Sequence, residues 1–319
     1  MKGKFYSLPS VITRYVNTGG GGEEIPDGIF GSGVGGDLTL SGNSTILGPD
    51  LEYENVTITG THVFGVHSSG TRAPVLYVSN TLTLNSGARL DNSGTISTAR
   101  SISDRTSTRL GGTGGTDGGA GAAAEVADPT GTPGVDQLLP SIGSRGRPGM
   151  GVAYSGLNEG GAQGGACNVV ALDTLEQLTS GLYMGQQIGG GSGGGSSLNG
   201  GGGHNGGAGG GGGGVVRIYA RNIVLGSGTV AYISALSGSP GFNNATGIGH
   251  QNGGYGGNGG IIIVCENFDP RIRLQAQQTG SPYAGSSHAF GGHVYLASKH
   301  LSGQYIYQVD GYYHPILLV

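Results

Sequence analysis

The chain has no tryptophan, two cysteines, three methionines and twelve prolines in 319 residues, and only 11% of its side chains are charged. Two cysteines, Cys167 and Cys265, are too few for a disulfide-stapled scaffold; they can form one bridge or stay as free buried thiols. Fifteen basic groups against nineteen acidic ones, a net charge of −4, leave no basic cluster of the kind that phosphate backbones need, so nucleic acid is not expected as a partner. Apolar runs are short: residues 260–265 (GIIIVC) stop at Glu266, well below the roughly 18 residues of a membrane span, so no span is expected. Ser7, Pro9 and Arg14 interrupt the stretch that a secretory signal would need after Lys2 and Lys4. With no export expected, the Asn-X-Ser/Thr sites at Asn43, Asn55 and Asn244 carry little weight as glycosylation signals.

What fills the space is glycine, 73 of 319 residues, roughly 23% against an average near 7%. Collagen is excluded, because the glycines keep no strict three-residue period and proline is scarce. The glycines concentrate in tracts at 111–122, 160–165, 189–214, 253–260 and 291–292. A run of glycine has no side chains to bury and loses more backbone entropy on ordering than any other residue. Such tracts therefore either remain flexible loops or pack side by side as extended, polyproline-II-like strands whose bare backbones approach closely and hydrogen-bond.

Between the tracts the pattern is β. Residues 37–41, 55–59, 75–79 and 81–85 alternate apolar with polar, and turns of Gly, Asn and Ser follow at 41–43, 85–87 and 92–94. A repeated unit lies in the later half: residues 213–223 (GGVVRIYARNI) align without gaps on 291–301 (GGHVYLASKHL), and with one deletion on 259–268 (GGIIIVCENF). The unit is a Gly-Gly lead-in, an apolar strand, a polar corner and another apolar residue; residues 75–82 repeat it without the glycines. Spacings of 46 residues from Val215 to Ile261 and 32 from Ile261 to His293 imply rungs of fixed geometry joined by loops of variable length. The expected fold is all-β: β-solenoid or β-helix-like rungs of short strands with packed glycine-rich insertions of polyglycine or polyproline-II type. Residues 1–26 read as an N-terminal attachment arm, 27–110 as a strand-rich solenoid region, 111–301 as a glycine-rich region with repeated rungs, and 302–319 as a C-terminal hairpin turning at Asp310–Gly311. Only a few segments look helical; residues 173–180 hold a short helical pattern, with Asp173 as N-cap and Gly181 as stop.

Chemical motifs are sparse. Residues 31–36 have the G-x-G-x-x-G spacing but lead into a strand pattern, so no helix N-terminus is present to hold a pyrophosphate. Residues 190–194 match G-x-S-x-G without the apolar strand that precedes a nucleophile elbow. Residues 111–117 are one position out of step with the calcium nonapeptide and do not repeat, and the eight histidines include no H-x-x-x-H spacing, so neither a metal nor another cofactor is expected. Asp91, Asp104, Asp117, Glu125, Asp128, Asp136, Glu159, Asp173 and Glu176 could supply a glycosidase-like carboxylate pair, but most sit beside Gly, Pro, Ser or Asn, where turn capping explains them. No catalytic residue is assigned. Aromatic residues on glycine-rich loops form the candidate receptor-binding set: Phe242, Tyr255, Tyr283, His288 and Phe290. A ring on such a loop can either offer a flat face to a sugar or a surface protein, or fill a gap between loop and strands.

Residues 27–46 (DGIFGSGVGGDLTLSGNSTI), 55–58, 82–90, 92–96 and the tract ending in 214–220 (GVVRIYA) resemble the glycine-rich β-solenoid fibre and adhesin proteins of tailed bacteriophages, over about residues 27–301. The glycine bundles also resemble the polyglycine-sandwich tips of T-even-type phage adhesins, from which this chain departs in mixing rungs among its glycine tracts. The resemblance implies a non-enzymatic virion protein, a tail fibre, spike or tail-tip adhesin assembled in the host cytoplasm. Rungs that bury one face of short strands often need a partner chain to cover their ends, which favours a homo-oligomer, a trimer. Its expected partners are other virion proteins through residues 1–26, and a host surface glycan or outer-membrane protein. A polysaccharide-degrading tailspike and a capsid or tail decoration fibre are the alternatives.

Overall fold

The computed structural model describes residue 25 and residues 27–46, 50–64, 74–94, 111–112, 115–116, 133–146, 164–170, 172, 190–191, 209–239, 254–276, 292–298, 307–309 and 312–314. Among them the fold is nearly all β, with a single 3-10 turn at Asp27–Phe30 and no α-helix. The strands are β1 (Asp37–Leu40), β2 (Ser44–Ile46), β3 (Asp50–Ile58), β4 (Thr61–Phe64), β5 (Val75–Leu84), β6 (Arg89–Asp91), β7 (Gln137–Ser141), β8 (Cys167–Val169), β9 (Val215–Leu225), β10 (Ala231–Ser234), β11 (Gly260–Cys265), β12 (Asn267–Phe268), β13 (Ile272–Gln275), β14 (Val294–Ser298), β15 (Tyr307–Val309) and β16 (Tyr312–His314).

Two open parallel sheets share most of these strands. The larger runs β1-β3-β5-β9-β11-β14, with β12 also on β9, and the smaller runs β2-β4-β6-β10-β13. The chain alternates between them and moves on by one place each time: β1 then β2, β3 then β4, β5 then β6, β9 then β10, β11 then β13. A parallel pair needs a crossover, and here the crossover runs through a strand of the opposite sheet where α/β proteins use a helix. Both sheets cross residue 110, since β5 pairs with β9 and β6 with β10.

The inward rows of both sheets make one core, including Val56, Ile58, Leu76, Leu82, Ile218, Ile223, Ile263 and Leu296 from the larger sheet and Phe64, Leu90, Ile233, Ile272 and Leu274 from the smaller. The larger sheet is buried on its other face as well, where Ile25, Ile29, Phe30, Ile142 and Leu172 cover Val215, Tyr219, Ile262, Val264 and Tyr295. Strands β9, β11 and β14 therefore read as near-continuous apolar runs. The smaller sheet is half-exposed on its outer face, where β4 and β13 alternate buried with exposed or half-exposed residues, while Ser234 of β10 is buried there.

The polar corner of the repeat resets the side-chain phase. Inward positions run Val216, Ile218, Ala220 and then Ile223, Leu225, a step of three across Arg221 and Asn222. Strand β11 does the same across Glu266 and Asn267, from Cys265 to Phe268. In β5, Ser79 and Asn80 together face the single Arg221, a bulge that lengthens the step to four. Corner side chains hydrogen-bond along the stack: Asn55 Nδ2 to Asp37 Oδ1 (2.8 Å), Asn222 Nδ2 to Asn80 O (3.1 Å) and Asn267 Nδ2 to Asn222 Oδ1 (2.6 Å).

The register corrects one alignment. Gly260 pairs with Val215 and Phe268 with Ile223, so β9 and β11–β12 superpose with no deletion, 45 residues apart. Matching the Gly-Gly pairs shifts the start by one, because Gly260 is itself a strand residue in a valine's place. Ile142 explains why: a Cβ on Gly260 would lie less than 3.0 Å from its side chain.

The described glycine segments are packed. Residues 209–214 and 254–259 are buried throughout, carry no strand pairing, and lead straight into β9 and β11. Gly210 N–H donates to Gly254 O and Gly213 N–H to Gly257 O, both at 2.9 Å, a three-residue step on each side. Between these, Gly212 donates to Thr116 O and accepts from Gly112, Gly213 accepts from Gly191, Gly214 donates to Asn92 O, and Gly211 accepts from Gly238. One tract thus bonds to neighbours in several directions. Glycine is required by proximity: a Cβ on Gly190, Gly210, Gly256, Gly257, Gly259 or Gly292 would lie less than 3.0 Å from a neighbouring carbonyl oxygen. Residues 92–94, expected as a turn, belong to this layer. Asn92 and Gly94 donate to Ser234 O and Leu236 O, and Asn92 Nδ2 to Val215 O (2.7 Å), because the partner backbone continues alongside them past β10.

The turns at 41–43 and 85–87 do form, with Gly42 and Gly87 at φ 78° and 76°. Strands β15 and β16 pair antiparallel, Tyr307 with His314, where Asp310–Gly311 predicts a hairpin. The helical pattern at 173–180 lies outside the described residues.

Candidate functional site

Of the aromatic loop candidates, Phe242, Tyr283, His288 and Phe290 lie outside the described residues. Tyr255 is described and is 4% exposed, inside the glycine layer at 254–259. Burial to that degree is what the gap-filling role requires. Of the nine acidic candidates, Asp91 and Asp136 are described and each binds backbone: Asp91 Oδ1 accepts from Ser93 N–H and hydroxyl, and Asp136 Oδ1 from Ala166 N–H (2.7 Å). These are the turn-capping roles their neighbours in sequence suggest.

At residues 31–36 a turn leads into β1 and no helix opens. Ser32 donates through its N–H (3.1 Å) and hydroxyl (2.6 Å) to Glu52 Oε2 on β3, which ties the 3-10 turn to the larger sheet and holds the Glu52 carboxyl below the usual range. Arg221 lies over the Phe30 ring, 5.7 Å from its centroid, and Tyr77 stacks on Tyr219 at 5.5 Å. This corner is a structural clasp.

Asp269 plays a like part between β12 and β13. Its carboxylate accepts from Leu225 N–H (3.2 Å), Arg271 N–H (3.0 Å) and the Arg271 guanidinium, with Nη2 at 2.6 Å, and these bonds lower its pKa. A carboxylate with a lowered folded pKa stabilises the fold above its unfolded value, near 3.9, and loses that contribution as pH falls through the folded value. The thermal midpoint is therefore expected to fall as pH drops below about 4. Asp269→Asn flattens that acid limb and lowers stability at pH 7 by about 1 kcal/mol. A series of melts from pH 2.5 to 7 checks both.

Both cysteines are free thiols. Burial raises the pKa of Cys167 and pushes that of Cys265 up to about 12. Since thiolates are the reactive form, Cys167, partly exposed on β8, is expected to react with a thiol reagent before Cys265, which reacts only on unfolding. Mass analysis of labelled peptides with and without denaturant measures the order.

Every pKa shift found among the described residues moves away from neutrality: Glu52 and Asp269 down, Cys167, Cys265, Tyr219 and Arg271 up. Those directions follow from the hydrogen bonds and burial of these groups. No group of three or more His, Cys, Asp or Glu placed to hold a metal ion occurs among the described residues. Nor is any helix among them long and apolar enough to cross a membrane.

The built polar surface that remains is the outer face of the smaller sheet. Strand register sets Thr61, Arg89, Tyr232 and Arg273 in one row across β4, β6, β10 and β13. The next row along the strands holds Val63, Asp91, Ser234 and Gln275, of which Ser234 is fully buried. Arg89 lies over the Tyr232 ring, 5.2 Å from its centroid, and Ser234 Oγ donates to Gln275 Oε1 (2.9 Å). Sequence reasoning missed this row because 143 residues separate Arg89 from Tyr232. The available signal was the alternation of residues 231–234 (AYIS) and 272–275 (IRLQ), each with its polar residues on one side.

Comparisons with protein-family models, with curated proteins and with solved structures give no match.

Proposed function

We propose that the chain is a non-enzymatic structural protein of a tailed-bacteriophage particle, a fibre, spike or tail-tip adhesin that takes part in host-surface recognition. The observation that carries this reading is the step-by-step alternation of strands between two parallel sheets, fused to a layer of hydrogen-bonded glycine backbone. In this reading each strand pair is one rung of a β-solenoid. The three-residue step of the bonds from Gly210 to Gly254 and from Gly213 to Gly257 supports reading these segments as polyproline-II-type strands packed side by side. Such a body gives a stiff shaft from little side-chain material, with variable loops free to differ between rungs.

Residues 1–26 dock the chain to other virion proteins, the assembly is a homotrimer formed in the host cytoplasm, and the loops carrying Phe242, Tyr283, His288 and Phe290 face a host glycan or outer-membrane protein. The test is binding of the purified chain to host cells and competition with particle adsorption. Saturable binding at micromolar protein or below supports the reading, and no binding removes the adhesin role. Release of new reducing ends from host glycan would instead make the chain a polysaccharide-degrading tailspike.

A further inference from the structure

We infer that the outer face of the smaller sheet is a binding surface for an acidic polysaccharide, contacted through the row Arg89, Tyr232 and Arg273. The inference rests on the host-surface reading above and adds to its loops a second contact face, with a ligand class.

The row is built by the fold. Arg89 and Arg273 sit in register on the two strands that flank Tyr232. With strands about 4.8 Å apart, their backbones are roughly 10 Å from one another, with the tyrosine midway. Neither arginine forms an ion pair among the described residues, and Arg273 is exposed. Both keep their fork of donors for an outside acceptor, and a guanidinium matches a carboxylate in two parallel bonds. Tyr232 adds a half-exposed ring with Arg89 over one face, an apolar body beside a cation against which a sugar ring can pack. Thr61 ends the row, and Gln275 in the next row adds amide hydrogen-bonding capacity.

Charge decides the class of ligand. The surrounding chain is acidic overall, net −4, and Asp91 lies in the neighbouring row, held by Ser93. Two arginines beside one aspartate suit a ligand with spaced single charges, such as one carboxylate per sugar, and are too few for the dense phosphates of nucleic acid. A second copy of this chain laid on the face by a two-fold axis would set arginine against arginine. An acidic sugar chain meets both the ring and its flanking cations.

The experiment uses the full chain with three probes: polygalacturonate, neutral dextran, and a single-stranded DNA oligonucleotide, each titrated at low and high salt. Polygalacturonate is expected to bind, to weaken with salt, and to bind at least tenfold better than dextran or DNA. Tyr232→Ala and Arg273→Gln, both on the solvent side of the sheet, are each expected to weaken it about tenfold while leaving the melting curve unchanged. Host-cell binding without polygalacturonate binding overturns this inference and keeps the adhesin reading; absence of both overturns the two together. Binding that both variants leave intact, or DNA bound as tightly as the polysaccharide, also overturns it.

Discussion

Gly257→Ala is expected to unfold the chain or to cost about 3 kcal/mol or more, among the largest effects a single methyl can have. The added Cβ would fall less than 3.0 Å from the carbonyl oxygen of Ser144, which is backbone and cannot rotate aside. Gly257 O also accepts from Gly213 N–H, so moving the segment away breaks a bond between two tracts. Two other glycines calibrate the result. Gly42 has open space around its Cβ position but φ 78°, so Gly42→Ala costs about 1–2 kcal/mol in backbone strain. Gly28 has neither a close neighbour nor a left-handed φ, and Gly28→Ala stays within about 0.5 kcal/mol of the parent. Chemical denaturation of the three variants should rank them Gly257, Gly42, Gly28. Equal tolerance at all three would mean the tract is not packed against Ser144.

Phe64→Ala is the second large effect, about 3–5 kcal/mol. Phe64 ends β4, is fully buried, and is the largest apolar side chain that the smaller sheet puts into the shared core. In a chain this rich in glycine each bulky core residue fills more than its usual share of the space between the sheets. Deleting the ring leaves a cavity between layers held by backbone bonds, which limits how far they can close. Val63→Ala, one residue earlier and on the outer face, removes two methyls and is expected to change stability by about 0.5 kcal/mol. Midpoints in urea, with slopes compared for both variants, test the difference.

The all-β class was legible because alternation is local: residues 37–41, 55–59 and 75–85 each show it over a few positions, and β1, β3 and β5 lie there. The repeat was legible for the same reason, since 213–223 and 291–301 carry the same pattern, and both lead to strands in the same sheet. Its register was off by one because glycine serves two roles here, as lead-in at Gly214 and as strand residue at Gly260. Which of the two a glycine takes depends on a contact with Ile142, distant in sequence. Residues 92–94 misled in a similar way. Asn, Ser and Gly favour turns when exposed, but here the partner segment 234–238, supplied from more than 140 residues away, absorbs their hydrogen bonds. The Arg89, Tyr232 and Arg273 row was invisible for the same physical reason: parallel pairing brings together strands that the chain reaches only after long excursions.

Hydrogen–deuterium exchange of the glycine amides probes the packing of the backbone at 209–214 and 254–259. Gly210, Gly212, Gly213 and Gly214 are expected to exchange as slowly as the core amides of β9 and β11, since each donates to a buried carbonyl. Exchange of these four amides at the rate of an open chain, with β9 and β11 still protected, would contradict that packing.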